Sequence, residues 1–342
     1  MSCLRILHLV GSPTDQFYCD LSKLYAQGCI DALSDAEKYE FVIAYVTPDG
    51  VWRFVRSLQP ADIATAAPLT LSKAVQVLAE QNIDAAVPQM FCAAGMTDYR
   101  ALLNSLKIPY IGNDPFLMAL TANKAKTKAI VAAAGVAVPQ GELLTPGRQP
   151  SIKLPAVVKP NSADNSDGVS FVKTQEDYAI ALEKAFSYEE TVVVEEFVEL
   201  GREVRCGIVV ENGELRCLPL EEYLVKPGLR PIRDKAHKLK RDQNNVLTMT
   251  AKGNAQSWIV DIDDPIVADV WEAAKQCHRA LGCQQYSLFD FRIDPNNKPW
   301  FIEAGLYCSF SPKSVLVTMM EAAETPLVDF FESALRQVIV NT

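Results

Sequence analysis

Apolar and polar positions along the first third of the chain predict strands and helices in alternation. Short apolar runs at residues 6–10, 41–46, 85–90 and 108–111 predict strands. Helical periodicity between them predicts helices near residues 17–33, 71–80 and 99–106. This alternation is typical of a parallel sheet flanked by helices, so residues 1–115 are expected to form an α/β domain. Gly11 and Ser12 follow the first strand, where they either meet a ligand or form a plain turn.

The pattern loses its regular alternation after residue 115. A helix is predicted over residues 115–134, followed by strands at 156–160, 169–173 and 191–198 around a helix at 175–186. This arrangement indicates an α+β unit. Further on, Asn212-Gly213 between two strand patterns is a strong hairpin signal. Helices are predicted at 265–281, 313–323 and 327–338, whereas the charged residues 221–255 show no period and are typical of a lid or ligand-binding segment.

A second hairpin is predicted from strands at residues 286–293 and 298–304. If Asn296 and Asn297 form a two-residue turn, Asp290 lies directly opposite Glu303 on one face. Facing carboxylates destabilise a sheet, but a hard divalent cation such as Mg²⁺ makes the pair a binding site. The alternative is a slipped register with both carboxylates in water.

Composition narrows the classes of protein to consider. The 342 residues are 49% hydrophobic and 22% charged, which indicates a folded chain of two or three lobes. The net charge of −9 argues against nucleic acid or an anionic membrane as partner, and no apolar run is long enough to span a membrane. The nine scattered cysteines include no CxxC pair, which favours reduced thiols in a cytoplasmic protein.

Two lysines lie where an anion could be bound. Lys159 ends a predicted strand and precedes a loop of small and polar residues at 161–168, whose backbone amides are suited to cover a phosphate. Lys124 lies in a helical run with Lys126 and Lys128. For both lysines the alternative is a solvated surface side chain. For the helical run this alternative is favoured because no single helix face takes all three lysines.

Acidic residues follow the strand predicted at 191–198. Glu195 and Glu196 come at its end, and Glu203 lies a few residues further on. The backbone of a strand edge offers a donor and an acceptor to an adenine ring, and a nearby carboxylate can accept from ribose hydroxyls. The alternative is an exposed acidic strand end.

In order and spacing, these elements resemble the ATP-grasp fold over essentially the whole chain, and in particular its D-Ala-D-Ala ligase branch. The matching positions are Lys124, residues 154–160, residues 195–198 with Glu203, Asp290, and residues 301–304. The resemblance implies a fold of α/β and α+β parts in three domains. These are an N-terminal Rossmann-like pre-ATP-grasp domain at 1–115, a central ATP-grasp subdomain at 116–198, and a C-terminal ATP-grasp subdomain at 199–342 with the metal hairpin and a lid.

The resemblance also implies roles for individual residues. Mg²⁺, or Mn²⁺ in its place, would be bound by Asp290 and Glu303. The lid is expected at residues 226–241. Catalytic roles fall to Lys124, Lys159, Lys235 and Ser314, of which Ser314 would bind the carboxylate of the incoming amino acid. ATP would contact Lys124, Lys159, Asn165, Ser166, Glu195, Glu196, Phe197, Val198 and Glu203.

Two positions depart from the dipeptide ligases, which carry Arg and Asn where this chain has Leu288 and Gly305. In the predicted register these two residues face each other, and Arg292 on the same strand is expected to be exposed. Residues 303–314 resemble the D-Ala-D-Ala ligase-like enzymes of mycosporine-like amino acid biosynthesis in cyanobacteria. Those enzymes use ATP to join serine, threonine or a related amino acid to mycosporine-glycine through a phosphorylated intermediate.

The function expected from this resemblance is therefore an ATP- and Mg²⁺-dependent carbon–nitrogen ligase that acts on mycosporine-glycine and a free amino acid and releases ADP and phosphate. One alternative is another amino-acid or dipeptide ligase of the same fold. Another is an ATP-binding regulator without catalysis, and a third is a bilobal small-molecule receptor. A homodimer is the assembly that the resemblance implies.

Overall fold

The computed structural model describes residues 3–163, 166–225, 239–241, 247–249 and 256–339. Contacts divide the chain into two compact units, one of Met1–Ala119 with Tyr307–Thr342 and the other of Leu120–Leu306. Each unit is described by itself. The three-domain division at residues 115 and 198 stays a prediction. Among the described residues, no helix is both long and apolar enough to cross a membrane.

The first unit contains a sheet of β1 (Leu4–Gly11), β2 (Tyr39–Val46), β3 (Trp52–Val55) and β4 (Ala85–Pro88). Its strand order is β3-β2-β1-β4. Strands β2, β1 and β4 are parallel, as predicted, whereas β3 pairs antiparallel with β2. The helices of this unit are α1 (Gln16–Leu33), α2 (Pro60–Thr65), α3 (Leu71–Glu80), α4 (Ala93–Met96), α5 (Asp98–Ser105), α10 (Val315–Ala322) and α11 (Leu327–Ile339).

Two strand assignments in the first unit differ from prediction. Strand β3 was not expected, because its four residues include only one fully buried side chain, Trp52, and so give a weak pattern. Residues 108–111 were expected to be a strand, but Tyr110 forms only an isolated bridge with Ala86. The chain turns away immediately afterwards at Gly112, whose φ is 112°.

Gly11 is required by a close backbone approach. Its φ is +101°, and a Cβ at this position would lie 2.0 Å from the carbonyl oxygen of Val46 on the neighbouring strand. Only glycine fits such a position. The glycine at the end of β1 therefore has a packing reason, which favours the plain-turn alternative.

The helix predicted over residues 115–134 is two helices, α6 (Pro115–Ala122) and α7 (Lys124–Ala133). The break falls at Asn123, whose side chain accepts a hydrogen bond from the backbone N–H of Lys126 at 3.0 Å. Asparagine is a favoured N-cap, so the local sequence explains why the second helix begins anew at Lys124. The apolar periodicity runs through the break and does not reveal it.

The second unit contains two main sheets. The first is antiparallel, with strands β5 (Gly141–Leu144), β6 (Ala156–Pro160), β7 (Ser170–Val172) and β8 (Val192–Glu196) in the order β5-β8-β6-β7. Helix α8 (Gln175–Phe186) packs on it through Tyr178, Ala181 and Ala185. A capping box at Thr174 and Asp177 begins this helix, which has the predicted bounds.

The second sheet has the order β14-β11-β9-β15-β16, with β10 paired to β9. Its strands are β9 (Arg202–Glu211), β10 (Glu214–Cys217), β11 (Glu221–Tyr223), β14 (Ser257–Ile259), β15 (Tyr286–Ile293) and β16 (Pro299–Gly305). Helix α9 (Ile266–Leu281) belongs to the same unit, and β12 (Leu239–Arg241) pairs with β13 (Leu247–Met249) in a separate ribbon. Part of the charged stretch without a clear period, residues 221–255, is thus β11, β12 and β13.

The hairpin of β15 and β16 has the predicted pairing of Asp290 with Glu303, but its turn differs from the predicted one. The predicted two-residue turn is wrong: Asp294 N–H donates to Lys298 carbonyl at 3.1 Å, which leaves three residues in the loop, the last being Asn297 with φ 64°. This longer loop shifts the pairing by one residue. An irregularity between Asp290 and Phe291 shifts it back, so Asp290 lies opposite Glu303 as predicted.

We expect the left-handed backbone conformation of Asn297 to affect the thermal stability of variants at this position. Asn297→Ala should unfold about 1–2 °C below Asn297→Gly, because a Cβ without a hydrogen-bonding group costs about 1 kcal/mol in this conformation. Circular dichroism during heating measures the two midpoints. Equal midpoints for the two variants would show that the turn does not constrain this hairpin.

Candidate active site

One pocket in the second unit brings together most of the residues predicted to bind a nucleotide and metal. Its empty space is about 780 Å³, including the part open to solvent. The predicted residues that line it are Lys124, Lys159, Ser166, Glu195, Glu196, Val198, Glu203, Asp290 and Glu303.

A buried ionic cluster contributes two of its residues, Lys159 and Glu195, to the lining of this pocket. Lys128 Nζ lies 2.5 Å from Glu195 Oε1, and Lys159 Nζ lies 2.8 Å from Glu195 Oε2. All three residues are buried. Glu195 is predicted to contact adenine, and in this structure both of its carboxylate oxygens are engaged by lysines.

Burial sets the protonation of the cluster. Burial lowers the pKa of Lys128 to about 7. The neighbouring charge of Lys159 also lowers this pKa, and Glu195, which raises it, offsets only part of the two effects. Burial alone would raise the pKa of Glu195, but Lys128 and Lys159 outweigh it and hold that pKa below its ordinary value. The carboxylate is therefore ionised at neutral pH, while Lys128 is poised to change charge there.

The alternative of a solvated surface lysine is wrong for Lys128, which is buried. Lys124 and Lys128 are one helical turn apart and therefore share a face of α7, while Lys126 between them is exposed. The i, i+4 spacing was the available signal. Its significance depends on Glu195, which lies 67 residues away in the chain.

Lys124 ties the start of α7 to the loop predicted to cover phosphates. Its Nζ donates to the carbonyl of Ala163 at 2.5 Å, and its backbone N–H donates to the carbonyl of Asn161 at 2.9 Å. Ser166 in the same loop has φ 63°, and Gly168 has φ 73°. Asn165, predicted to contact ATP, lies outside the described residues.

The acidic strand end is organised by a buried arginine. Arg292 lies 3.0 Å from Glu203 Oε2, donates to the carbonyl of Val198 at 3.2 Å, and stacks over the Phe197 ring at 5.0 Å. The expectation that Arg292 is exposed is wrong, since it is 5% exposed. The reason is its strand pairing with Glu203, which the local sequence does not reveal.

Among the described residues, the backbone N–H of Val198 has no acceptor.

Four charged residues form one row across the second sheet. Cross-strand pairing runs from Glu221 to Arg205, from Arg205 to Asp290, and from Asp290 to Glu303. Arg205 holds Asp290 through two hydrogen bonds, Nε to Oδ1 at 2.5 Å and Nη2 to Oδ2 at 3.1 Å. Burial would lower the pKa of Arg205, but Asp290 outweighs burial and raises it above its ordinary value.

Asp290 and Glu303 offer oxygen ligands of the kind that Mg²⁺ takes. Within the described ranges, no group of three or more acid, histidine or cysteine side chains could hold a metal ion. A metal at this pair would therefore need further oxygens from phosphate or water, which is how Mg²⁺ is commonly bound beside nucleotides. The donor set fits such an ion.

The next row along the same sheet face carries no charge. Leu288 faces Gly305 on β16, as predicted, and Gly207 on β9. A Cβ on Gly305 would meet only the carbonyl oxygen of Leu288 at 3.9 Å, an ordinary contact distance. Lack of space therefore does not explain the glycine.

Two other predicted residues, Ser314 and Lys235, are not among the described residues that line this pocket. Ser314 lies in the first unit, at the N-cap of α10, where it is buried with its Oγ 3.6 Å from Cys308 Sγ. Lys235 and nearly all of the predicted lid, residues 226–238, lie outside the described residues.

Comparison with known proteins identifies a family and several relatives. Residues 147–333 match the family model described as the D-ala D-ala ligase C-terminus. A D-alanine–D-alanine ligase of Halalkalibacterium halodurans is 32% identical over 205 residues, which are 58% of this chain and 62% of that protein. A putative D-alanine–D-lactate ligase of Streptomyces coelicolor is 28% identical over 319 residues, 88% of each chain.

Solved structures agree in fold. The D-Ala:D-Ser ligase from Enterococcus faecalis has a TM-score of 0.79 at 20% identity and covers 99% of this chain and 100% of its own. The D-alanine–D-alanine ligase from Bacillus anthracis complexed with ATP has a TM-score of 0.71 at 20% identity, covering 99% and 98%. The predicted ATP-grasp fold is thus confirmed.

Removing the carboxylate of Glu195 should destabilise the protein. Glu195→Gln leaves two buried lysines without their counter-charge and should cost about 3 kcal/mol of unfolding free energy at pH 7. In the wild type, the lowered pKa of Lys128 should itself add stability as the pH rises from 7 toward 10, because the folded protein then holds fewer protons than the unfolded chain. Urea unfolding at several pH values measures both effects.

The matched control is Glu196→Gln, which makes the same chemical change at the next, exposed position. It should change stability by less than about 0.5 kcal/mol. If the two variants had equal stability at pH 7, the buried cluster would not be an ion pair.

Proposed function

This chain belongs to the D-Ala-D-Ala ligase family of ATP-grasp ligases, and on that premise we propose that it joins two amino-acid substrates through a carbon–nitrogen bond, using ATP and Mg²⁺ and releasing ADP and phosphate. The observation that carries the proposal is the single pocket in which Lys124 and Lys159 line the same space as Asp290 and Glu303. Cations and facing carboxylates in one cavity suit a nucleoside triphosphate with its metal.

At the nucleotide end of the pocket, the backbone of Val198 and the side chain of Glu203 would bind the adenine and the ribose. The N–H of Val198 is available to an adenine ring edge, and Glu203 is held by Arg292 where it can accept from ribose hydroxyls. Val157 and Ile302 supply apolar surface in the same pocket. Adenine binding commonly combines such a backbone donor with apolar neighbours.

The phosphate end depends on the lysines. Lys124 and Lys159 would bind the triphosphate, and Lys124 would bring the 161–163 segment with it through its bonds to Asn161 and Ala163. Lys159 already has a carboxylate partner in Glu195, so it is fixed in place before any ligand binds. Preorganised charges of this kind stabilise phosphoryl transfer without reorganising during the reaction.

Asp290 and Glu303 would hold Mg²⁺, with Mn²⁺ as a substitute. When bound, the ion would neutralise the charge that develops on the transferred phosphoryl group. One substrate oxygen, normally of a carboxylate, takes the phosphoryl group, and the amine of the second substrate then displaces phosphate to form the new bond. Water must be kept from the phosphorylated intermediate, which is the role expected of a lid.

The relatives favour amino-acid or dipeptide ligation over the mycosporine pathway. Those named above are ligases of D-alanine with D-alanine, D-lactate or D-serine. Ligation onto mycosporine-glycine is a second candidate, supported by the uncharged row of Gly207, Leu288 and Gly305 beside the carboxylates. A neutral row leaves room for a substrate whose activated group is not an amino-acid carboxylate. A homodimer and a cytoplasmic location stay predictions.

Glu303→Gln should lower turnover at least about 10²-fold while the protein stays folded, because the change removes a charge at the metal without changing volume. Amino-acid-dependent phosphate release measures this effect. Glu199→Gln, the same change at an exposed position outside the pocket, is the control and should keep full activity. Near-normal turnover of Glu303→Gln would exclude the metal assignment.

A substrate panel separates the candidate functions. With Mg-ATP, ADP release should require D-alanine or another amino acid as both donor and acceptor. ADP release only with mycosporine-glycine and an amino acid, with a product of red-shifted absorbance, would instead support the second candidate. Binding of ATP with no ADP release under any combination would contradict both and leave the regulator.

A further inference from the structure

Arg205 is a charged residue of the second sheet that is neither a predicted site residue nor one of the proposed nucleotide contacts. Its side chain is 15% exposed and that of Asp290 12% exposed, and the two share a pair of parallel hydrogen bonds. Arg205 does not line the pocket, whereas Asp290 does. Any influence of Arg205 on a ligand must therefore pass through Asp290.

The paired hydrogen bonds restrict what Asp290 can offer to a metal. A carboxylate has about four lone-pair sites, and a guanidinium fork occupies one on each oxygen, on the side where both oxygens would otherwise chelate a single cation. The sites that remain point away from each other. Asp290 can then give one oxygen to one ion, but it cannot chelate an ion through both oxygens.

Neighbouring residues hold the guanidinium in this position. Arg205 lies between the strand partners Glu221 and Asp290, and it stacks against the ring of Tyr223 at 5.3 Å. The hydroxyl of Tyr223 donates to Glu221. Arginine stays protonated across the pH range in which proteins fold, so this positive charge is permanent.

We propose that Arg205 takes the place of a second divalent ion, so that Asp290 and Glu303 bind a single ion together with the nucleotide. Arg205 is thus a positioning residue that acts through Asp290 and offsets the charge of one of these two facing carboxylates. The inference rests on the proposed function, because it presumes that these carboxylates bind a metal with ATP.

The test counts bound ions rather than turnover. Wild-type protein saturated with a non-hydrolysable ATP analogue is titrated with Mn²⁺, and electron paramagnetic resonance measures the free ion. We expect one Mn²⁺ per protein–nucleotide complex in the wild type. Arg205→Met, which has a similar length and no charge, should bind a second Mn²⁺, because Asp290 regains its full charge and both chelating sites.

Two further variants complete the design. Arg205→Lys keeps the charge and should still bind one ion, and Arg216→Met removes an arginine that pairs with Glu211 on the same sheet and should also bind one. Two ions in the wild type, or one ion in Arg205→Met, would overturn the inference. If Arg205→Met does not fold, the wild-type count alone decides between one ion and two.

The outcomes also separate this inference from the proposed function. A wild type that binds the nucleotide analogue with two Mn²⁺ ions contradicts only the role of Arg205. A wild type that binds no Mn²⁺ with the analogue, and in which Glu303→Gln changes nothing, contradicts the metal-dependent function itself.

Discussion

Charge compensation across one row of the second sheet is the constraint on which the candidate site depends. Asp290 and Glu303 face each other, and two carboxylates in this position repel. Arg205 relieves part of that repulsion from the neighbouring strand, and Glu221 on its far side balances the arginine in turn. The row therefore retains a negative charge at its pocket end alone, which is where a cation is needed.

The same principle governs the other wall of the pocket. Lys159 is partnered by Glu195, and Arg292 is partnered by Glu203, so these charges are fixed by the protein before a ligand arrives. Fixed charges cost stability to bury, but they need not reorganise during phosphoryl transfer. The buried cluster around Glu195 is thus better understood as preorganisation of the nucleotide site than as a source of stability.

Local patterns in the sequence predicted most of the elements and the facing of Asp290 with Glu303, because periodicity and turn residues act over short distances. They did not predict the partners Arg205, Arg292 and Lys128, since each pairs with a residue that is distant in the chain. The hairpin shows a subtler limit. Its turn is one residue longer than predicted, and an irregularity beside Asp290 cancels the difference, so a correct pairing followed from an incorrect turn.

The most direct test of the metal assignment is a crystal structure with Mn²⁺ and a non-hydrolysable ATP analogue, with the ion located by its anomalous signal. The predicted result is an ion within about 2.0–2.4 Å of an oxygen of Asp290 and an oxygen of Glu303, with the triphosphate beside Lys124 and Lys159. A triphosphate bound in the pocket with its ion away from both carboxylates would contradict the assignment.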